Sequence, residues 1–165
     1  MFNFFKKNNR KEIKNSDFDI KVPITNPDLK IAFNEFYKNK SDENFINIIN
    51  GIFKAKFLAI TINDEVKSTK NDDGTTTIHE GSLIKFLLFN NEENGAVLPL
   101  FTDWSEVDLS IKDRDETYQG LIMPSYEAFN FALSDYDGLV INPGSDGWFL
   151  NKNQIQNFLD DFAQK

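Results

Sequence analysis

Apolar residues recur at helical spacing in four stretches of the chain, and at strand spacing or in short unbroken runs between them. The first stretch, NPDLKIAFNEFYKN, opens with Asn26 at an N-cap, Pro27 at the first helical position and Asp28 in the first turn, where an acid suits the helix dipole. Leu29, Phe33, Phe36 and Tyr37 then share one face. In SDENFINIINGIFK, Ser41 stands where a cap belongs, and Phe45, Ile48, Ile49, Ile52 and Phe53 form a second stripe to be buried. Pro124-Ser125 introduces a third helix with Tyr126, Phe129 and Leu133 in register. Asn151 and Gln154 cap a fourth, whose stripe is Ile155, Phe158, Leu159 and Phe162.

From Ala55 the period changes. AKFLAITIND sets Phe57, Ala59 and Thr61 against Leu58, Ile60 and Ile62, the pattern of a strand covered on both faces and therefore central in a sheet. The polar stretch 63–81 reads as an exposed excursion with a hairpin signal at Asp73-Gly74. A strand over 83–89, a turn with Asn94-Gly95 and a return strand ending at Phe101 repeat the hairpin logic, and Pro99, which has no N–H, belongs at a sheet edge or a bulge. Thr102-Asp103 then marks a strand-to-helix junction. Asp103 with Glu106 three residues on resembles a capping box that leaves Trp104 and Val107 to pack downwards. A short strand over 118–123 precedes the third helix. After it, Asp137-Gly138 leads into an apolar strand, Asn142-Pro143-Gly144 and Asp146-Gly147 reverse the chain, and Trp148-Phe149-Leu150 returns. Asn142, directly ahead of a proline, is expected to be extended and to bond the turn.

This order implies an α+β protein: a single domain with a mainly antiparallel or mixed sheet and helices packed against it, without the regular alternation of a doubly wound fold. A chain of 165 residues suits one core. Residues 1–24 read as a basic, flexible N-terminal extension and residues 25–165 as the folded domain.

Composition narrows the chemistry. With no cysteine, disulfides, thiolate metal sites and a cysteine nucleophile are excluded. The formal charge of −8 is uneven: residues 1–14 carry five Lys/Arg and one Glu, or +4, so the other 151 residues carry −12. A body of that sign repels phosphate backbones, so no nucleic acid is expected, and a protein partner with a basic surface is easier to accommodate. The opening MFNFFKK puts apolar residues before the charges, the reverse of a secretory signal, and no window approaches the roughly 20 apolar residues of a membrane span. A cytoplasmic location is expected.

The run GAVLPLFTDW, the spacing to YEAFNFAL, the closing GLVINPGSDGWFLNKNQIQNFL and the leading NPDLKIAFNEF together resemble the SseB N-terminal domain family, named for enhanced serine sensitivity, over roughly residues 25–160. The most recognisable pieces are Pro99, Phe101, Thr102, Asp103 and Trp104, then Leu139, Val140, Ile141, Asn142 and Pro143. The resemblance implies a small cytoplasmic α+β domain of poorly defined role, without an established catalytic motif and sometimes followed by a second domain, which is not expected here.

Candidate chemistry is sparse. His79 is the only histidine, so a multi-histidine metal site is excluded. Asp103, Glu106 and Asp108 lie close in sequence, but an acid at a helix start caps backbone amides. DDGTTT and NPGSDG are oxygen-rich without the acid spacing of a calcium loop, and the eight glycines form neither a dinucleotide fingerprint nor a P-loop. No cofactor, metal or catalytic residue is expected. Asp103, Trp104, Asn142 and Trp148 are the candidates for partner contact, because large aromatics dominate interface hot spots. The expected role is a non-enzymatic bacterial protein-interaction or regulatory domain. The alternatives are an immunity or antitoxin protein neutralising a basic toxin, and a small carboxylate-based hydrolase or ligand-sensing domain.

Overall fold

The strand β1 (Lys56–Ile62) organises the protein, because each of its faces covers a different core. In the computed structural model, residues 24–62, 68–72, 76–78, 85–91, 93, 95–111 and 118–163 are described. The extension ahead of Ile24, the Asp73-Gly74 turn, His79 and Asn94 lie outside the described residues. Two helices, α1 (Pro27–Lys38) and α2 (Asp42–Lys54), precede β1; a small ribbon, β2 (Ser68–Lys70) with β3 (Thr76–Ile78), follows it. Then come β4 (Lys85–Phe86), β5 (Phe89–Asn91), β6 (Gly95–Leu100), α3 (Trp104–Ser110), β7 (Tyr118–Pro124), α4 (Ser125–Asp135), β8 (Gly138–Ile141), β9 (Trp148–Asn151) and α5 (Lys152–Ala163). The α+β class expected from the pattern is the class observed.

One sheet has the order β4-β1-β7 and the other β5-β6-β8-β9. All pairs are antiparallel except β6 with β8, which run parallel from Val97 opposite Gly138 to Leu100 opposite Ile141. The sheets join where Leu58 and Phe101 exchange both backbone bonds, at 2.8 and 2.9 Å. The strand expected over 83–89 is split by a change of partner. Lys85 and Phe86 pair with β1, the Leu87 N–H still reaches the Ile60 carbonyl, and from Phe89 the chain pairs with β6 instead.

That switch also accounts for Pro99. Leu100 accepts from Asn142 and Ala96 from Asp137, so even-numbered residues of β6 face β8, while Phe101 bonds β1 on the opposite side. The Pro99 nitrogen therefore points into the gap between Val97, the last residue paired with β5, and the bridge at Phe101. No ladder bond is lost there, although β6 as a whole is interior.

Phe57 and Ala59 join a large core with Phe33, Ile52, Leu98, Leu100, Phe129 and Ile155, while Leu58 and Ile60 join Phe101 and Val107 beneath α3. The central position expected for this strand is thus correct. Caps follow the sequence at Ser41, whose hydroxyl accepts from Asn44 at 3.2 Å, and at Asn151 and Gln154, which satisfy each other's backbone N–H at 3.0 Å. The helical stripes are narrower than the periodicity suggests. Tyr37, Phe45 and Tyr126 are about half exposed, because each overhangs the layer its helix packs against. No side chain caps the start of α4, and Ser125 ties that start to the end of α2 instead: its hydroxyl donates to the carbonyls of Ile52 and, at 3.0 Å, Ala55.

Candidate functional site

The parallel strands β6 and β8 end side by side, and the residues just beyond them, Thr102 and Asn142, are both fully buried. The carbonyl side-chain oxygen of Asn142 accepts the Thr102 N–H at 3.0 Å and its hydroxyl at 3.2 Å, and Nδ2 lies 3.1 Å from Thr102 Oγ1 and donates to Asp146 Oδ2 at 2.9 Å. The Asn142 carbonyl accepts from Ser145 and Gly147, closing the β8 to β9 turn. Asn142 bonds the turn as expected, but it is not extended. Its φ is 50°, in the left-handed region that asparagine tolerates better than other side chains because its amide finds local partners.

Asn26 holds the expected N-cap position, its carbonyl accepting the Lys30 N–H at 3.0 Å, but its side chain does not cap. Its amide donates instead to the carbonyls of Lys56 at 2.8 Å and Thr102 at 2.7 Å, while Oδ1 accepts the Lys56 N–H. One side chain thus pins the start of α1 to β1 and to the end of β6.

The charged groups assemble over this frame. Asp103 caps α3 through Oδ1, which accepts the Glu106 N–H at 3.1 Å and the Ser105 hydroxyl, and Oδ2 takes Lys30 of α1 at 2.9 Å. Glu106 does not complete the expected capping box. It turns inward, 5 % exposed, with Oε1 on Lys30 at 3.2 Å and Oε2 accepting the Ser145 hydroxyl. The cluster therefore locks α1, α3 and the β8 to β9 turn together, and Tyr37 adds a bond from its hydroxyl to the Asp146 carbonyl at 2.6 Å. Local pattern marked Glu106 only as a capping-box acid and Asp146 only as a turn residue, and it did not mark Lys30, although a cation in the first turns of α1 runs against the helix dipole and calls for an acidic partner.

Burial pushes the Asp103 carboxyl up, but the Ser105 hydroxyl, the Lys30 ammonium and the Glu106 amide outweigh it and hold Asp103 below the usual carboxylate range. Burial pulls Lys30 down, and its bonds to Asp103 and Glu106 more than reverse this. Asp146 moves the other way: burial raises it, the Asn142 amide opposes, the Glu106 charge adds to the rise and Lys30 opposes. A carboxyl raised in the folded state binds its proton more tightly there than in the unfolded chain, so Asp146 removes stability as pH climbs from its unfolded value through its folded one. Asp146→Asn, which keeps an acceptor for Asn142, is expected to raise the unfolding temperature at pH 7 and to lose that advantage near pH 3. An advantage that persists undiminished in acid contradicts this account.

Of the four candidate contact residues, three converge. Asp103 and Asn142 belong to the cluster, and Trp104 lies at its rim, 37 % exposed, with its ring over Gly120 of β7. Trp148 is elsewhere: its indole packs among Phe33, Phe36 and Phe45, with ring centroids 5.6, 5.5 and 6.0 Å away, and its buried Nε1 has no hydrogen-bond partner among the described residues. Among the described residues no group of three or more His, Cys, Asp or Glu side chains is arranged to hold a metal ion, and no helix is long and apolar enough to cross a membrane.

Two joined sheets with helices packed against them, closed by a buried Thr–Asn tie and an acidic cluster at the one parallel strand pair among the described residues, define a small α+β domain. The chain belongs to the family described as SseB protein N-terminal domain, whose model matches residues 29–157. That span holds every residue of the cluster except Asn26. Comparison with curated proteins and with solved structures gives no match.

Proposed function

We propose that this domain is a cytoplasmic protein-interaction module of the SseB family, presenting the corner around Asp103, Trp104 and Asp146 to a basic segment of a partner protein. The observation that supports this reading is the imbalance at the corner: three carboxylates, on Asp103, Glu106 and Asp146, face one lysine, next to Trp104, 37 % exposed, and with the exposed Leu109 further along α3. Such a surface attracts cations over a distance and offers an aromatic anchor at contact. A carboxylate-based hydrolase has less support, because both oxygens of Asp103 and both of Glu106 already hold hydrogen-bond donors. Neutralisation of a basic toxin is one form that such an interaction takes, and the identity of the partner decides it.

Affinity capture with the full chain at low and high salt tests the reading. A basic partner is expected to be recovered at low salt and weakened at high salt. Trp104→Ala is expected to weaken it about thirtyfold, the scale of a 2 kcal/mol hot spot, and Leu109→Arg to weaken it through charge. Undiminished binding by both folded variants would remove this corner from the interface.

A further inference from the structure

Among the described residues, β7 has an open edge, and its chemistry points to an occupant. Within β1, the Leu58 N–H and the Leu58 and Ile60 carbonyls face away from β7, so the odd residues Phe57, Ala59 and Thr61 carry the bonds to it. Their partners are Met123, Leu121 and Gln119. By the alternation of a strand, Tyr118, Gly120 and Ile122 turn their N–H and C=O groups outward, and none of these has a partner among the described residues. Pro124 is the next outward position, where a missing N–H is tolerated.

This edge lacks the usual protections. Its seven residues, YQGLIMP, carry no charge, and no bulge or described element covers it. The other outer strands, β4, β5 and β9, have two, three and four residues. The outward groups are also arranged symmetrically about Gly120, which has no side chain. A Cβ there would lie 2.8 Å from the Trp104 ring and 3.2 Å from Leu58, so the indole occupies that space.

The geometry points to a second copy of this chain as the occupant, its β7 antiparallel to the first with the two-fold axis at Gly120. Gly120 then faces Gly120, Tyr118 faces Ile122, and each pair exchanges both backbone bonds. The two Trp104 rings approach over the paired glycines. Two chains of net charge −8 repel through most of their surfaces, and this uncharged strip lets them meet without burying a charge. A two-fold strand pairing is closed, so it stops at a dimer.

Light scattering across a concentration series, together with amide hydrogen exchange of the wild-type full chain, tests the proposal. The mass is expected to rise from 19.0 kDa to twice that value, and the Tyr118, Gly120 and Ile122 amides are expected to slow by about tenfold or more with it. Gln119, Leu121 and Met123 stay protected throughout. Ile122→Pro removes an outward N–H without touching the β1 ladder and is expected to stay monomeric at concentrations where the wild type pairs; should it fail to fold, the wild-type exchange data still decide. A monomer at all concentrations overturns the proposal, as does a dimer whose three outward amides remain fast. Slow outward amides at monomer mass overturn it in favour of cover by the same chain.

Discussion

Asn142→Ala is expected to destabilise the domain by about 4 kcal/mol, enough to remove much of the 5–15 kcal/mol typical of a domain this size. The Thr102 N–H and hydroxyl lose their acceptor in a fully buried site, at about 1–3 kcal/mol for each stranded group. Alanine at φ 50° adds about 1–2 kcal/mol that asparagine largely avoids. Urea unfolding followed by tryptophan fluorescence reads the loss. Asn142→Gly separates the two contributions, because glycine accepts the backbone angle and loses only the side-chain bonds; it should recover the strain alone. Asn142→Asp keeps the acceptor but sets a carboxylate where Nδ2 met Asp146 Oδ2, so its defect should ease as pH falls. An alanine variant within 1 kcal/mol of wild type would mean that the tie contributes little to stability.

Lys30→Met is the second large effect, at about 3 kcal/mol at pH 7. The methionine covers α1 equally well but leaves Glu106 in the interior and Asp103 beside it with no cation. Stranding a buried charge typically costs about 3–5 kcal/mol. Glu106→Ala leaves Lys30 its bond to Asp103, and about a third of that side chain already reaches solvent, so the loss should be smaller. The depressed Asp103 and raised Lys30 set the pH window of this pair. Asp103 contributes stability above its unfolded value that disappears as pH falls through the folded one; Lys30 contributes below its unfolded value and fades as pH rises through the folded one. The Lys30→Met defect should therefore shrink in acid. If Glu106→Ala proves the worse of the two, the charge reading of the cluster fails.

Features decided within one turn of chain were legible in the sequence. Ser41, Asp103 and Asn151 cap helices because a short polar side chain ahead of an apolar stripe has few other uses, and β1 is central because both of its faces are apolar. What escaped depends on distant partners. Nothing local says that Glu106 will turn from its own helix start to Lys30, or that Asn26 will reach Lys56 and Thr102, respectively 30 and 76 residues on. Periodicity fixed the direction in which Tyr37 and Phe45 point but not the width of the layer beneath them. The φ of Asn142 went against the expectation for a residue before proline because four side-chain hydrogen bonds and the turn select that angle. Trp104 and Asn142 were recognisable as notable residues, but their convergence needed the parallel alignment of β6 and β8, which no hairpin signal encodes.

That alignment also sets a timetable for synthesis. β6 leaves the ribosome some 40 residues before the strand that completes it, as the separation of Thr102 from Asn142 measures. At about 5–20 residues per second the wait is roughly 2–8 s. Throughout that interval the carbonyls of Ala96 and Leu100 and the side chains of Leu98 and Leu100 have no β8 to meet. The nascent chain is therefore at its stickiest while 103–141 is being made, and this is the interval in which a chaperone would gain most by holding it.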